Sequence, residues 1–148
     1  MPSFGKRSRD NLNTAELDLQ ILFNIVIKYF DCSVLYGHRS TVEQFDLYKK
    51  GREYIDDKWV VVNRRKVVTN CDGIDVQSKH NTAPSKAVDV LPYPIEWGDT
   101  DRMYMFVGFV RGIATLLNLD IVTGADWDGD TQVKDQTFND LAHFELIN

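Results

Sequence analysis

The chain has 148 residues, 43% of them hydrophobic and 11% aromatic, with a net charge of −5. That size and apolar content fit one folded domain, residues 1–148, and exclude a disordered chain. The acidic balance argues against nucleic-acid binding, whose footprint is a clustered basic surface.

The basic start "GKRSR" (5–9) reads as a frayed terminus, and it lacks the apolar stretch of a signal peptide. Asn13 or Thr14 is placed to cap a helix running to about Phe30, with Ala15, Leu19, Leu22, Phe23, Val26 and Phe30 as its buried stripe. Cys32 and Cys71 are too few for a disulfide scaffold and are expected as free thiols, Cys71 a buried one. "SVLYG" (33–37) reads as a strand, and a helix from Thr41 to Lys50 stops at Gly51. "KWVVVNRRKVVTN" (58–70) shows two β-branched runs around the polar turn "NRRK", which predicts a hairpin. "KAVDVLPYP" is a strand ended by prolines. Residues 101–119 open on Asp101 and carry a long apolar face, the strongest helix signal of the chain. "DIVTGADW" and "AHFELIN" return as strands. No apolar run is long enough to span a bilayer, so no membrane insertion is expected. Strands and helices alternate loosely around a hairpin, which predicts an α+β domain with a mostly antiparallel sheet.

Three side chains point to metal chemistry. A catalytic zinc takes three protein ligands from His, Asp, Glu or Cys and keeps a fourth position open. His80, Asp89 and His143 offer two nitrogens and a carboxylate, from elements only the tertiary fold can bring together. Asp89 inside "AVDVL" is a costly half-buried charge without a partner, and a cation is one. Glu145, two residues beyond His143, shares its face of a strand and can hold its ring from behind. Amide hydrolysis also needs a base and a cation near the developing oxyanion. Asp140 and Arg39 are the candidates. Ser78 is expected to orient the His80 loop, since it lacks a nucleophile's glycine elbow. Trp127 suits a cleft wall or the core equally. "DWDGD" (126–130) starts like a calcium loop, but Thr131 and Thr137 stand where such a loop needs Gly and Glu, so a solvated turn is expected. His38 reads as a surface residue.

Together these residues resemble the zinc peptidases of the D-alanyl-D-alanine carboxypeptidase/dipeptidase type, and more closely the phage endolysins that are L-alanyl-D-glutamate endopeptidases. The shared pattern reads Ser78-Lys79-His80, then Ala87-Val88-Asp89, then Asp140-Leu141-Ala142-His143. "YGHRS" with Arg39, "VDVLPYPIEW" and "GADWDGD" are similar too. The link "NTAPSKAV" is longer than in many relatives and carries Pro84, and it is expected to bulge at the surface.

The resemblance implies a Hedgehog/DD-peptidase-like fold. It implies one zinc ion on His80, Asp89 and His143, Asp140 as catalytic base, and Arg39 steadying the substrate carbonyl. The implied substrate is the peptide stem of peptidoglycan, cut by a monomer at the L-alanyl-D-glutamate bond. Such a phage enzyme is expected in the host cytoplasm on synthesis and at the wall after a membrane lesion. The alternatives are a D-alanyl-D-alanine carboxypeptidase or dipeptidase, and a non-catalytic zinc-stabilised module that binds peptidoglycan or protein.

Overall fold

The computed structural model describes residues 1–148. Its frame is a four-stranded antiparallel sheet in the order β1–β4–β6–β5, formed by Cys32–Tyr36 (β1), Ala87–Pro92 (β4), Asp140–Leu146 (β6) and Ile121–Gly124 (β5). Two helices cover one face. Leu17–Tyr29 (α2) buries Leu19, Leu22, Phe23, Val26 and Ile27, a helical spacing that makes a single apolar stripe. Thr100–Leu116 (α4) does the same with Met103, Phe106, Val107, Val110 and Ala114.

Strand alternation sorts the sheet residues. Val88 and Val90 of β4 and Phe144 of β6 join the helical core, where Phe144 meets Phe23 and Phe106 edge-on at centroid distances of 5.3 and 6.0 Å. Asp89, His143 and Glu145 lie one residue out of phase and therefore face the other side. Asp89 and His143 are direct cross-strand partners. The core packing that fixes Phe144 thus fixes its neighbour His143.

The structure corrects the expected N-terminus. Lys6–Leu12 (α1) is a helix with Ser8 and Leu12 buried, and Phe4 just before it is buried too. It lies along the free edge of β1, where the Ser8 hydroxyl accepts from the Val34 N–H at 3.0 Å. Asn11 donates to the Val34 and Leu35 carbonyls at 2.9 and 3.0 Å. An uncovered edge strand invites pairing with another chain, and α1 blocks that edge. Ala15 is buried but precedes α2, whose N-cap is Glu16 rather than Asn13 or Thr14. The cap of α4 is Asp99, two residues before Asp101, with its carboxylate accepting from the Arg102 N–H.

The hairpin also sits elsewhere than expected. Thr41–Tyr48 (α3), capped by the Ser40 hydroxyl, leads to Arg52–Ile55 (β2) and Lys58–Val61 (β3). The turn is Asp56-Asp57, both with positive φ (51° and 61°), the backbone twist a two-residue hairpin needs. "NRRK" instead forms a short 3-10 turn, Arg64–Lys66, capped by the Asn63 side chain. Residues 67–71 pair with no strand and become a cleft wall.

Phe144→Ala is expected to lower the unfolding free energy by about 3–5 kcal/mol, the cost of emptying a fully buried aromatic site. A denaturant midpoint lowered at unchanged slope checks it.

Candidate metal centre

His80 is set by a short 3-10 turn, Lys79–Asn81. The Ser78 hydroxyl accepts from the His80 N–H at 3.2 Å, and the Asn81 side-chain oxygen accepts from the Ser78 N–H at 2.8 Å. This reciprocal cap fixes the turn. The His80 ring is 2% exposed, and its Nδ1 lies 2.7 Å from the Gly37 carbonyl oxygen. A carbonyl only accepts, so Nδ1 carries the hydrogen and Nε2 presents a lone pair. Gly37 can make this approach because it has no side chain: a Cβ there would fall 2.2 Å from the Asn11 carbonyl oxygen and from Thr14 Oγ1.

His143 is held by the mirror-image logic. Its Nε2 lies 3.0 Å from Glu145 Oε1, so Nε2–H donates and Nδ1 is free. Lys79 supports Glu145 at 3.7 Å and donates to the Leu146 carbonyl. Asp89 Oδ1 lies 3.3 Å from both His80 Nε2 and His143 Nδ1. These contacts are close but not aligned as hydrogen bonds, and His80 Nε2 and Asp89 Oδ1 are buried without a hydrogen-bond partner. The ligand atoms of the three residues all lie within 4.8 Å of one another. Three convergent lone pairs, two of them buried and unpartnered, form a donor set that a divalent cation satisfies and no group of the chain does. The residues present fit a metal ion.

The electrostatics agree. Burial opposes charge on Asp89, but the His143 and His80 rings beside it hold its carboxyl well below the usual range. Burial also opposes charge on His143, yet Asp89 and Glu145 raise it to about 9. Without a cation this favours a second proton on His143 Nδ1 near neutral pH, and a metal bound there would take the place of that proton. Burial lifts the Glu145 carboxyl, and His143 and Lys79 bring it back below its ordinary value.

Arg39 is 9% exposed and donates to the other Asp89 oxygen, Oδ2, at 3.2 Å. It also donates to Gln44 Oε1 at 3.1 Å and stacks over Tyr36. Its guanidinium is thus anchored on the carboxylate of the cluster as well as lining the cleft. Asp140 opens β6 at the cleft, its carboxyl raised first by burial and then by the Asp89 charge. Gly124 packs against it so closely that a Cβ would stand 2.0 Å from the Asp140 carbonyl oxygen.

Around these groups runs an open cleft of about 780 Å³, with Tyr36, Trp97, Trp127 and Phe138 among its walls. Trp127 lies on the cleft side, its indole N–H donating to the Phe138 carbonyl at 2.7 Å and its ring 5.3 Å from that of His143. Cys71 is half-buried and lines the cleft, not the fully buried thiol expected, and it stands outside the ligand group. Burial pushes its thiol up. His38 is exposed and turned to the Thr82 carbonyl. In the 81–88 link only Ala83 and Pro84 are exposed; Ser85 is buried and tied by backbone bonds to Thr14 and Glu16. In the acidic turn, Asp126 is buried and its oxygens accept from Arg111 at 2.6 Å and from the Gly129 and Thr131 N–H groups at 3.0 Å. The turn is held by its own backbone and α4. Gln44 was not legible as a site residue: within "TVEQFDLYKK" it reads as one more polar residue of a solvated helix.

The sequence matches the family model of the phage L-alanyl-D-glutamate peptidases over residues 2–147. Among solved structures, the Serratia marcescens L-Ala D-Glu endopeptidase ChiX superposes with a TM-score of 0.66 at 22% identity, covering 97% of this chain and 90% of that one. At that identity the likeness is one of fold. No curated protein matches the chain.

Gly37→Ala should push away the carbonyl that orients His80. Calorimetric titration with a divalent metal is expected to show affinity lowered by roughly 10- to 100-fold, the usual cost of losing a group that holds a ligand.

Proposed function

The chain belongs to the family of phage L-alanyl-D-glutamate peptidases, and from that premise we propose that one zinc ion sits on His80, Asp89 and His143 and serves the hydrolysis of the cell-wall peptide. The protein is a peptidase acting on peptidoglycan, with the L-alanyl-D-glutamate bond as its family's target. The observation that carries the zinc assignment is the convergence of His80 Nε2, Asp89 Oδ1 and His143 Nδ1 within 4.8 Å of one another. Two nitrogens and one carboxylate oxygen are a donor set suited to catalytic zinc.

When bound, zinc supplies a Lewis acid that polarises the scissile carbonyl and acidifies water. The chain's own residues do the rest. Asp140, the carboxylate of the cleft outside the ligand set and free of an ion-pair partner, takes the proton from the attacking water and returns it to the leaving amide nitrogen. Arg39 keeps Asp89 turned toward the cluster and sets a fixed positive charge beside the developing oxyanion. Glu145 holds the tautomer of His143, and Ser78 the turn that carries His80. Trp127 packs at a tilt beside His143 and walls that side of the cleft.

The cleft also suits an acidic peptide. A glutamyl residue joined through one carboxyl keeps the other free. Of the cleft-lining cations, Arg39 is bound to Asp89 and Lys79 to Glu145, while Lys50 has no acidic partner. Lys50 is the charge available to that carboxylate. No helix is long and apolar enough to cross a membrane. Acting as a lytic enzyme of a phage, the protein would be made in the host cytoplasm and reach the wall once the membrane is breached.

Asp140→Ala is expected to keep zinc yet lose turnover by roughly 10²- to 10⁴-fold, the usual share of a positioned base. Metal analysis and a muropeptide assay on the same preparation check it; a variant as active as the wild type removes Asp140 from the mechanism. Lys50→Ala should raise KM by about two- to fivefold with kcat little changed, the scale of an exposed ion pair. Product masses from defined muropeptides decide the bond. Cleavage between L-alanine and D-glutamate is expected, and release of terminal D-alanine alone would overturn that assignment.

A further inference from the structure

We propose that Gln44 is a positioning residue that ties the substrate-facing wall of the cleft to the metal ligand Asp89 by way of Arg39. The inference rests on the reading of His80, Asp89 and His143 as zinc ligands.

Gln44 projects from α3 and is fully buried, at 0% exposure. A buried amide is costly unless all its polar atoms are matched. Here all are. Oε1 accepts from Arg39 Nη1 at 3.1 Å, and Nε2 donates to the Cys71 carbonyl at 2.9 Å and to Thr69 Oγ1 at 3.3 Å. Arg39 then donates through Nη2 to Asp89 Oδ2 at 3.2 Å. The planar guanidinium fixes the angle between its two nitrogens, so a shift of Gln44 rotates Arg39 on Asp89.

The other end of the relay is the wall itself. Thr69, Asn70 and Cys71 line the cleft and belong to no strand. Their positions depend on side chains: Gln44 as above, and Arg52, which donates to the Thr69 carbonyl at 3.0 Å. The fit around Gln44 leaves no play. Gly73, at φ +80°, packs so near that a Cβ there would stand 2.9 Å from Gln44 Cβ. One amide therefore holds two things that a peptidase must keep in register, the wall that meets the substrate and the carboxylate that meets the metal. Arg52 keeps the wall attached when Gln44 is lost, so the expected defect is in alignment rather than in folding.

The test is a double-mutant cycle read as zinc affinity, by chelator competition on the full chain. Gln44→Met, near in volume and without the amide, is expected to weaken zinc binding by about tenfold or more. In the Arg39→Met background the same change should have little further effect, because the link is already cut. At saturating zinc, Gln44→Met should also raise KM by loosening the wall. Should the Met variant not fold, Gln44→Asn keeps an amide but shortens its reach, and the same weakening is expected. Unchanged zinc affinity in the folded variant overturns the proposal. So does an equal loss with and without Arg39, which would mark Gln44 as a packing residue only. A wild-type chain that takes up no zinc overturns the metal reading itself, and this proposal with it, and is distinguished by failing before any substitution is made.

Discussion

A buried carboxylate oxygen with no hydrogen-bond partner is the constraint from which the rest of the site follows. Asp89 Oδ1 is flanked at 3.3 Å by two ring nitrogens, and neither contact is aligned to relieve it. Burying a charge in this way is expensive without compensation. The surrounding groups are arranged to keep the cost in place: the Gly37 carbonyl and Glu145 each take the far nitrogen of one imidazole, and Arg39 takes the far oxygen of Asp89. Every outward-facing atom of the cluster is satisfied by protein, and the inward-facing ones converge. That division of labour suits a cation at the point of convergence.

The fold makes this arrangement possible through the period of two along a strand. Asp89 and His143 sit opposite each other in neighbouring central strands, while Val88 and Phe144 point into the helices on the other side. The apolar layer beneath fixes the strand register, and the register places Asp89 and His143 side by side. His80 comes from outside the sheet and needs its own device, the capped turn at Ser78. Register alone positions two members of the cluster, and a local cap positions the third.

How much of this the sequence revealed depends on how local each cause is. Ligand chemistry narrows the residue types only loosely; the ordered Ser-x-His, small-x-Asp and Asp-x-x-His pattern singles out His80, Asp89 and His143, which the fold brings together, with Asp140 and Arg39 lining the same cleft. The helices with long apolar stripes were equally plain. The failures have tertiary causes. α1 has seven residues, too few to show a period, and its fit is against an edge strand far along the chain. The run at 58–61 had two possible partners, the β-branched residues after "NRRK" and the less obvious "REYI" before it, and the Asp-Asp pair that tolerates positive φ decides for the latter. Gln44 and Gly37 act by close approach to distant backbone, which no local pattern records. The twofold bonding of Arg39, to Asp89 and to Gln44, is hidden for the same reason.

The most direct measurement is a crystal structure of the protein loaded with zinc. One ion bonded at roughly 2.0–2.2 Å to His80 Nε2, Asp89 Oδ1 and His143 Nδ1 is the expected result. An ion bound elsewhere in the chain, with those three atoms turned away from a common point, would contradict it.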